Sequence, residues 1–289
     1  MNIHTLELSD GRSLEIASVG TPSPHAIIFH HGTPISYKTW ESSLALLEKL
    51  GVFAVAFSRA GYGMSSRRVG RSVISNTSDT QAIVDHFQIE KFASIGWSGG
   101  GPHCLADTTL DKCLAAISLA GVAPFNAEGL NFLEGMGEEN HIEFGAAVKG
   151  AESIENWMKE FSPPMKSVTG ADLIEAFGGL IGDADKNVLT AEVAEAEAEA
   201  FRHALVETYY GWMDDDLAFV EDWGFDITSI SKPVELWQGD EDFMVPHAHG
   251  KWLATKIPTA TLKFREGEGH ISLVENQIAE IVESAKKYF

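Results

Sequence analysis

Gly96-Trp97-Ser98-Gly99-Gly100 joins an apolar run at residues 92–96 to a helical pattern over 100–110, and its reading decides the fold. A serine on a sharp strand-to-helix turn is lifted above the sheet, and glycines on both sides let the strand and helix approach closely. Ser98 is thereby positioned as a nucleophile. The same pattern also arises in glycine-rich turns that carry a serine by accident, so its chemical partners must be sought elsewhere in the chain.

Outward from this turn, short apolar runs at 26–30, 52–57, 92–96 and 114–120 alternate with helical patterns at 37–50, 79–87 and 100–110. Runs of that kind are expected of parallel strands buried on both faces. Residues 3–8 and 12–19 form a hairpin pattern about Asp10-Gly11, a dipeptide that supplies the positive φ of a tight turn. Strands resume at 233–237 and 261–264, and a final helix is expected over 274–288. The fold class is therefore α/β, with a mostly parallel eight-stranded sheet and helices on both faces.

The charge divides the chain. Residues 125–228 hold 23 acidic and 5 basic side chains, a net of −18, against −3 for the remainder. This stretch is expected to be an acidic helical insertion, a cap, in a core made of 1–124 and 229–289. Its periodicity is clearest over 190–210, where Glu192, Glu195 and Glu199 share a face opposite Val193 and Ala200. The plain reading of the charge is a solvated helical surface. A sharper reading has part of the field reaching the cleft, where it favours neutral or cationic acyl substrates.

The whole chain of 289 residues carries a formal charge of −21, a field that repels nucleic acid. No apolar run approaches the roughly 20 residues of a bilayer crossing, and residues 1–10 lack a basic and apolar leader. Cys104 and Cys113 stand nine apart, which argues against a disulfide framework and a thiolate metal site. His30, His103, His247 and His249 are scattered, without carboxylates at ligand spacing. The expectation is a cytoplasmic protein with no cofactor, no metal, no membrane and no nucleic-acid partner.

Serine needs a base, usually an imidazole oriented by a carboxylate. The loop after 233–237 offers Asp240 and Asp242, and the loop after 261–264 offers His270. With Gly239-x-x-Asp242-x-x-Val245-Pro246, Gly269-His270, His31-Gly32-Thr33-Pro34 and the turn from Ser58 to Ser65, the elbow completes a set of five marks in order. Together they resemble the α/β-hydrolase fold superfamily over the whole chain except the insertion. The resemblance implies Ser98, Asp242 and His270 as the catalytic residues. It also implies the backbone N–H groups of Gly99 and Thr33 as the oxyanion hole, a cis Thr33-Pro34 bond, and a helical cap that chooses the substrate.

Related dehalogenases and epoxide hydrolases carry an aspartate at the elbow, whereas position 98 is serine. Acyl transfer to water from a small-molecule carboxylic ester or related acyl bond, through an acyl-enzyme intermediate, is therefore the expected reaction; esters, amides and strained lactones all fit it. The H-G-x-P loop, cap and length resemble the branch of proline iminopeptidases, cofactor-free peroxidases and carbon-carbon bond hydrolases. Thr33-Pro34 and the elbow depart from the iminopeptidase pattern, so an aminopeptidase or amidase is an alternative. A catalytically silent ligand-binding or interaction protein is the alternative of another class.

Overall fold

The computed structural model describes residues 1–178 and 180–289. In chain order the strands are β1 (Asn2–Glu7), β2 (Ser13–Val19), β3 (His25–His30), β4 (Ala54–Phe57), β5 (Lys91–Trp97), β6 (Cys113–Leu119), β7 (Val234–Gly239) and β8 (Ala260–Arg265). Among the described residues they form one eight-stranded sheet in the order β1-β2-β4-β3-β5-β6-β7-β8. The first two strands are the expected antiparallel hairpin, with Gly11 at φ +84°. The β2 strand runs antiparallel to β4, and every later pairing is parallel.

Alternate residues of the central strands enter different cores. In β3, Ala26 and Ile28 pack with Leu14, Phe92 and Ile83, while Ile27 and Phe29 join Trp40, Leu44, Trp237 and Ile281 on the other face. Each fully buried side chain of this size contributes about 2 kcal/mol, so both faces must be covered. The helices α1 (Glu41–Lys49), α2 (Thr77–His86) and α3 (Gly101–Asp107) connect the first strands. Between β6 and β7 come α4 (Glu138–Ala147), α5 (Ala151–Met165), α6 (Gly170–Phe177), α7 (Asp183–Val188), α8 (Ala191–Ala204) and α9 (Tyr210–Val220). The chain finishes with α10 (Ala248–Lys256) and α11 (Ser272–Lys286). The face covered by α1 and α11 holds Leu44 and Ile281; α2 and α3 cover the opposite face with Ile83 and Leu105.

Two helical expectations change in detail. Residues 37–50 begin as a 3-10 turn, Tyr37–Trp40, whose entry is capped by Ser36 Oγ accepting the Lys38 N–H at 3.4 Å. The helix expected over 190–210 stops at Ala204, where the Gly63 N–H donates to the Ala204 carbonyl at 3.1 Å and takes the place of a further turn. A new helix starts at Tyr210, its N–H held by Thr208 Oγ1 at 3.2 Å.

The acidic face of α8 matches its solvated reading, since Glu192, Glu195 and Glu199 are exposed. For a few other acids of the insertion that reading fails. Glu197 is buried on the same helix, and Asp214, Asp215 and Asp216 are all buried on α9. Their helix packs against the core loops with no outward face to offer a carboxylate, so these charges need partners inside the protein. Among the described residues no helix is long and apolar enough to cross a membrane.

The elbow's glycines differ sharply from a glycine in open space. A Cβ on Gly100 would overlap the backbone carbonyls of His30 and His31, whereas a Cβ on Gly145 in α4 meets nothing within 4 Å. Gly100→Ala is expected to lower stability by about 1–3 kcal/mol through overpacking against backbone. Gly145→Ala should raise it by up to about 1 kcal/mol through helix propensity. Urea unfolding of the two variants checks the pair, and equal effects would contradict this packing.

Candidate active site

The turn at residues 96–100 owes its shape to close backbone approach. Ser98 adopts φ +56°, a left-handed conformation that costs a non-glycine residue free energy and persists only where surroundings impose it. Those surroundings are Gly96, which packs on the Gly100 carbonyl, and Gly100, which packs on the carbonyls ending β3. Ser98 lines a cavity of about 180 Å³ together with Thr33, Gly99 and His270 from the core, and Phe144 and Phe219 from the insertion.

The loops after β7 and β8 bring acid and imidazole together. His270 Nδ1 and Asp242 Oδ2 lie 2.8 Å apart. The remaining Asp242 oxygen accepts the N–H groups of Met244 and Val245 at 3.0 and 2.7 Å, and Gln238 Nε2 donates to Oδ2 at 3.3 Å. The carboxylate is thus fixed by its own loop. Asp240 instead accepts the Gly267 N–H at 2.7 Å on the surface, bracing the two loops against each other.

Burial opposes charge on His270, but Asp242 by its charge and hydrogen bond, helped by Asp185 and Glu197, outweighs it and raises the imidazole above its ordinary value. Ser98 and His270 face one cavity without a hydrogen bond between them, a contact that in such sites commonly tightens once substrate binds.

Thr33 and Gly99 stand side by side, so close that a Cβ on Gly99 would overlap Thr33 Oγ1. The Thr33-Pro34 bond is cis, as expected. Arg59 donates to the carbonyls of His31 and Gly32, the latter at 3.1 Å. A planar trans peptide points its N–H opposite its C=O. With the Gly32 carbonyl turned to Arg59, the Thr33 N–H therefore points away from the guanidinium.

Arg59 is held in turn by Asp215 of α9, whose Oδ2 accepts from Arg59 Nη2 at 2.6 Å, Tyr62 Oη at 2.7 Å and Thr33 Oγ1 at 2.8 Å. Its Oδ1 pairs with Arg71 at 2.6 Å and His103 at 3.3 Å. Burial alone would raise this carboxyl, yet Arg59 and Arg71 hold it well below the ordinary carboxylate range. Burial, aided by Arg59, pushes His103 down to about 3, so it stays neutral.

Residues 25–277 match the family described as alpha/beta hydrolase fold. The chain belongs to that family. A non-heme haloperoxidase of Rhodococcus erythropolis is 27% identical over 269 residues, covering 91% of this chain and 90% of that protein. Among solved structures, a bromoperoxidase from Bacillus anthracis superposes with a TM-score of 0.70 at 21% identity, covering 99% of both chains. An esterase from Rhodococcus sp. ECU1013 gives 0.69 at 18% identity, covering 100% of both.

In this alpha/beta hydrolase fold protein, several residues at the site carry no motif. Asp185 of α7 is fully buried beneath the His270 loop, and its carboxylate accepts three successive backbone N–H groups, from His270 at 2.9 Å, Ile271 at 2.9 Å and Ser272 at 2.8 Å. It thereby satisfies the N-terminus of α11, which has no side-chain cap of its own. Glu197 lines the cavity, accepts from Thr39 Oγ1 at 2.9 Å and is pushed up to about 7 by burial. Glu143 and Asp216 line it as well.

Only the run Asp214-Asp215-Asp216 inside an apolar helix was a visible signal in the sequence. Nothing about the residues around Asp185 announces its partner. Of the scattered histidines, His249 is structural: its Nδ1 accepts the Ala123 N–H at 3.1 Å, and its Nε2 donates to the Phe132 carbonyl at 2.9 Å. Among the described residues no group of three or more His, Cys, Asp or Glu is arranged to hold a metal ion.

Asp185→Asn is expected to lower kcat by about 10- to 100-fold, because its amide cannot accept all three N–H groups and the imidazole shifts. It should also move the acid limb of the pH profile. A negative charge beside His270 favours the imidazolium, so its loss lowers the imidazole pKa and activity persists to lower pH. Steady-state kinetics from pH 5 to 9 check this; an unmoved limb with unchanged kcat would contradict it.

Proposed function

We propose that this chain is a serine hydrolase of small carboxylic esters, with residues 125–228 acting as its cap. The observation that carries the reading is the His270–Asp242 hydrogen bond of 2.8 Å, opening onto the same cavity as Ser98 on its left-handed elbow. A structural neighbour from Rhodococcus sp. ECU1013 is named an esterase, which is in keeping with acyl chemistry at this site, while the relative from Rhodococcus erythropolis is named a haloperoxidase.

In the proposed reaction Ser98 Oγ attacks the ester carbonyl carbon while His270 Nε2 takes its proton. The negative charge passes to the carbonyl oxygen, where the N–H groups of Gly99 and Thr33 stabilise it. Collapse of the tetrahedral intermediate breaks the bond to the alcohol, which leaves with the proton from His270. Water then attacks the acyl-Ser98 ester, giving its proton to His270, and the acid departs as the proton returns to Ser98. Asp242 keeps Nδ1 protonated so that Nε2 is the free base.

A fluorophosphonate probe should label Ser98, and a panel of p-nitrophenyl esters of varied chain length should be hydrolysed. Ser98→Ala and His270→Ala are each expected to cut kcat by roughly 10³-fold or more, with little further loss in the double variant because the residues act as a unit. Folded protein that neither reacts with the probe nor cleaves any ester would overturn this reading. Asp242→Asn should be severe and Asp240→Asn mild; the reverse order would transfer the orienting role to Asp240. Because His270 is raised above its ordinary value and works as the neutral base, the acid limb of kcat/KM should lie above about pH 6.5.

A further inference from the structure

Three consecutive carboxylates of α9 are buried, and two of them have their cation. Asp214 pairs with Arg67 at 2.8 Å, and Asp215 pairs with Arg59 and Arg71, each at 2.6 Å. Asp216 has none among the described residues, although its side chain is 1% exposed and lines the cavity that holds Ser98. Its Oδ2 has no hydrogen-bond partner. Its neighbour is another acid, Glu143 of α4, which also lines the cavity and accepts from Trp212 Nε1. Buried acids without a counter-ion are costly, and stable proteins rarely keep them without a use.

We propose that Glu143 and Asp216 form a binding subsite for an ammonium group of the substrate. The assignment rests on the hydrolase reading above and gives that reaction a substrate class, esters that carry a protonated amine. Burial, then the charge of Glu143 and its hydrogen bond, keeps Asp216 protonated well above the ordinary carboxyl range.

The surrounding charges fit the exchange of that proton for an ammonium. Asp215 on the same helix opposes ionisation of Asp216 and Arg71 favours it. Arg59 is spent on Asp215, and His103 is neutral at about 3. Glu197 and His270 line the same cavity, and neither forms an ion pair with the two acids. With Arg59 and Arg71 set against Asp215, Glu143 and Asp216, the fully ionised group lacks one positive charge, which an entering ammonium supplies as the proton leaves to solvent. The exchange is balanced in charge. The notion that part of the insertion's acidity reaches the cleft thus acquires two named residues.

Calorimetric titration of the full chain with butylammonium chloride, 1-butanol and sodium butyrate reads the subsite without requiring any ester to be cleaved. Failure of the hydrolase reading and failure of this one are therefore distinguishable. Butylammonium is expected to bind at least about tenfold more tightly than 1-butanol, as charged hydrogen bonds in a buried site imply. Butyrate should bind more weakly than either. Glu143→Gln, at a side chain only partly buried, should remove most of that preference, and Asp216→Asn the remainder.

Binding in buffers of different ionisation enthalpy should show a proton released with butylammonium and none with 1-butanol. Equal affinity for the amine and the alcohol would overturn the proposal and leave a neutral hydrogen-bonding wall. An amine preference that survives in Glu143→Gln would also overturn it. If Asp216→Asn does not fold, the wild-type comparison and Glu143→Gln still decide.

Discussion

One buried carboxylate, Asp215, joins the inserted helices to the sheet and sets the geometry of the candidate oxyanion loop. Two guanidinium groups, a phenol, a threonine hydroxyl and an imidazole converge on it, from the loop after β3, the long loop after β4 and helix α3. Such an assembly is costly to desolvate and is stable only when complete. Removing Asp215 would strand Arg59 and Arg71 in the interior, and a loss of about 3–5 kcal/mol is typical when one partner of a buried pair is deleted. The same carboxylate reaches Ser98 indirectly. Arg59 fixes the Gly32 carbonyl, the peptide plane turns the Thr33 N–H the other way, and the Thr33 hydroxyl is tied to the hub itself.

Asp185 does for the imidazole what Asp215 does for the oxyanion loop. Both lie in the insertion, both are fully buried, and both anchor a core loop that faces the cavity. The inserted helices therefore brace the candidate site as well as line its cavity. Helix α8 carries the solvated glutamates beside the buried Glu197, while α9 carries three buried acids. Net charge alone could not separate these populations, because the difference lies in which side of a helix meets the core.

The sequence made the sheet legible because its strands are apolar on both faces and its turns are marked by glycine. Ser98, Asp242 and His270 were legible because each follows a strand in a loop with a recognisable glycine. The choice of Asp242 over Asp240 agrees with the hydrogen bond to His270, and the surface bond from Gly267 explains what Asp240 does. Glu143, Asp185 and Glu197 were invisible, since each is an ordinary acid on a helix and acquires meaning only from a residue distant in sequence. The end of α8 was misjudged for a related reason. Its last carbonyl is satisfied by Gly63, a partner that periodicity along the helix does not register.

The separations along the chain bear on the order of assembly. The elbow is local: β5, Ser98 and α3 are contiguous, and β3 beside them is already in the first half of the protein. The bonds that brace the candidate site span 182 residues between Thr33 and Asp215 and 85 between His270 and Asp185. Contacts of such high sequence separation are paid for in loop-closure entropy before they return anything, so they form late. A chain emerging from the ribosome can fold the Ser98 turn while Arg59 and Arg71 still wait for α9. The candidate site is complete only with the last helices, and its completion coincides with the insertion's docking on the sheet.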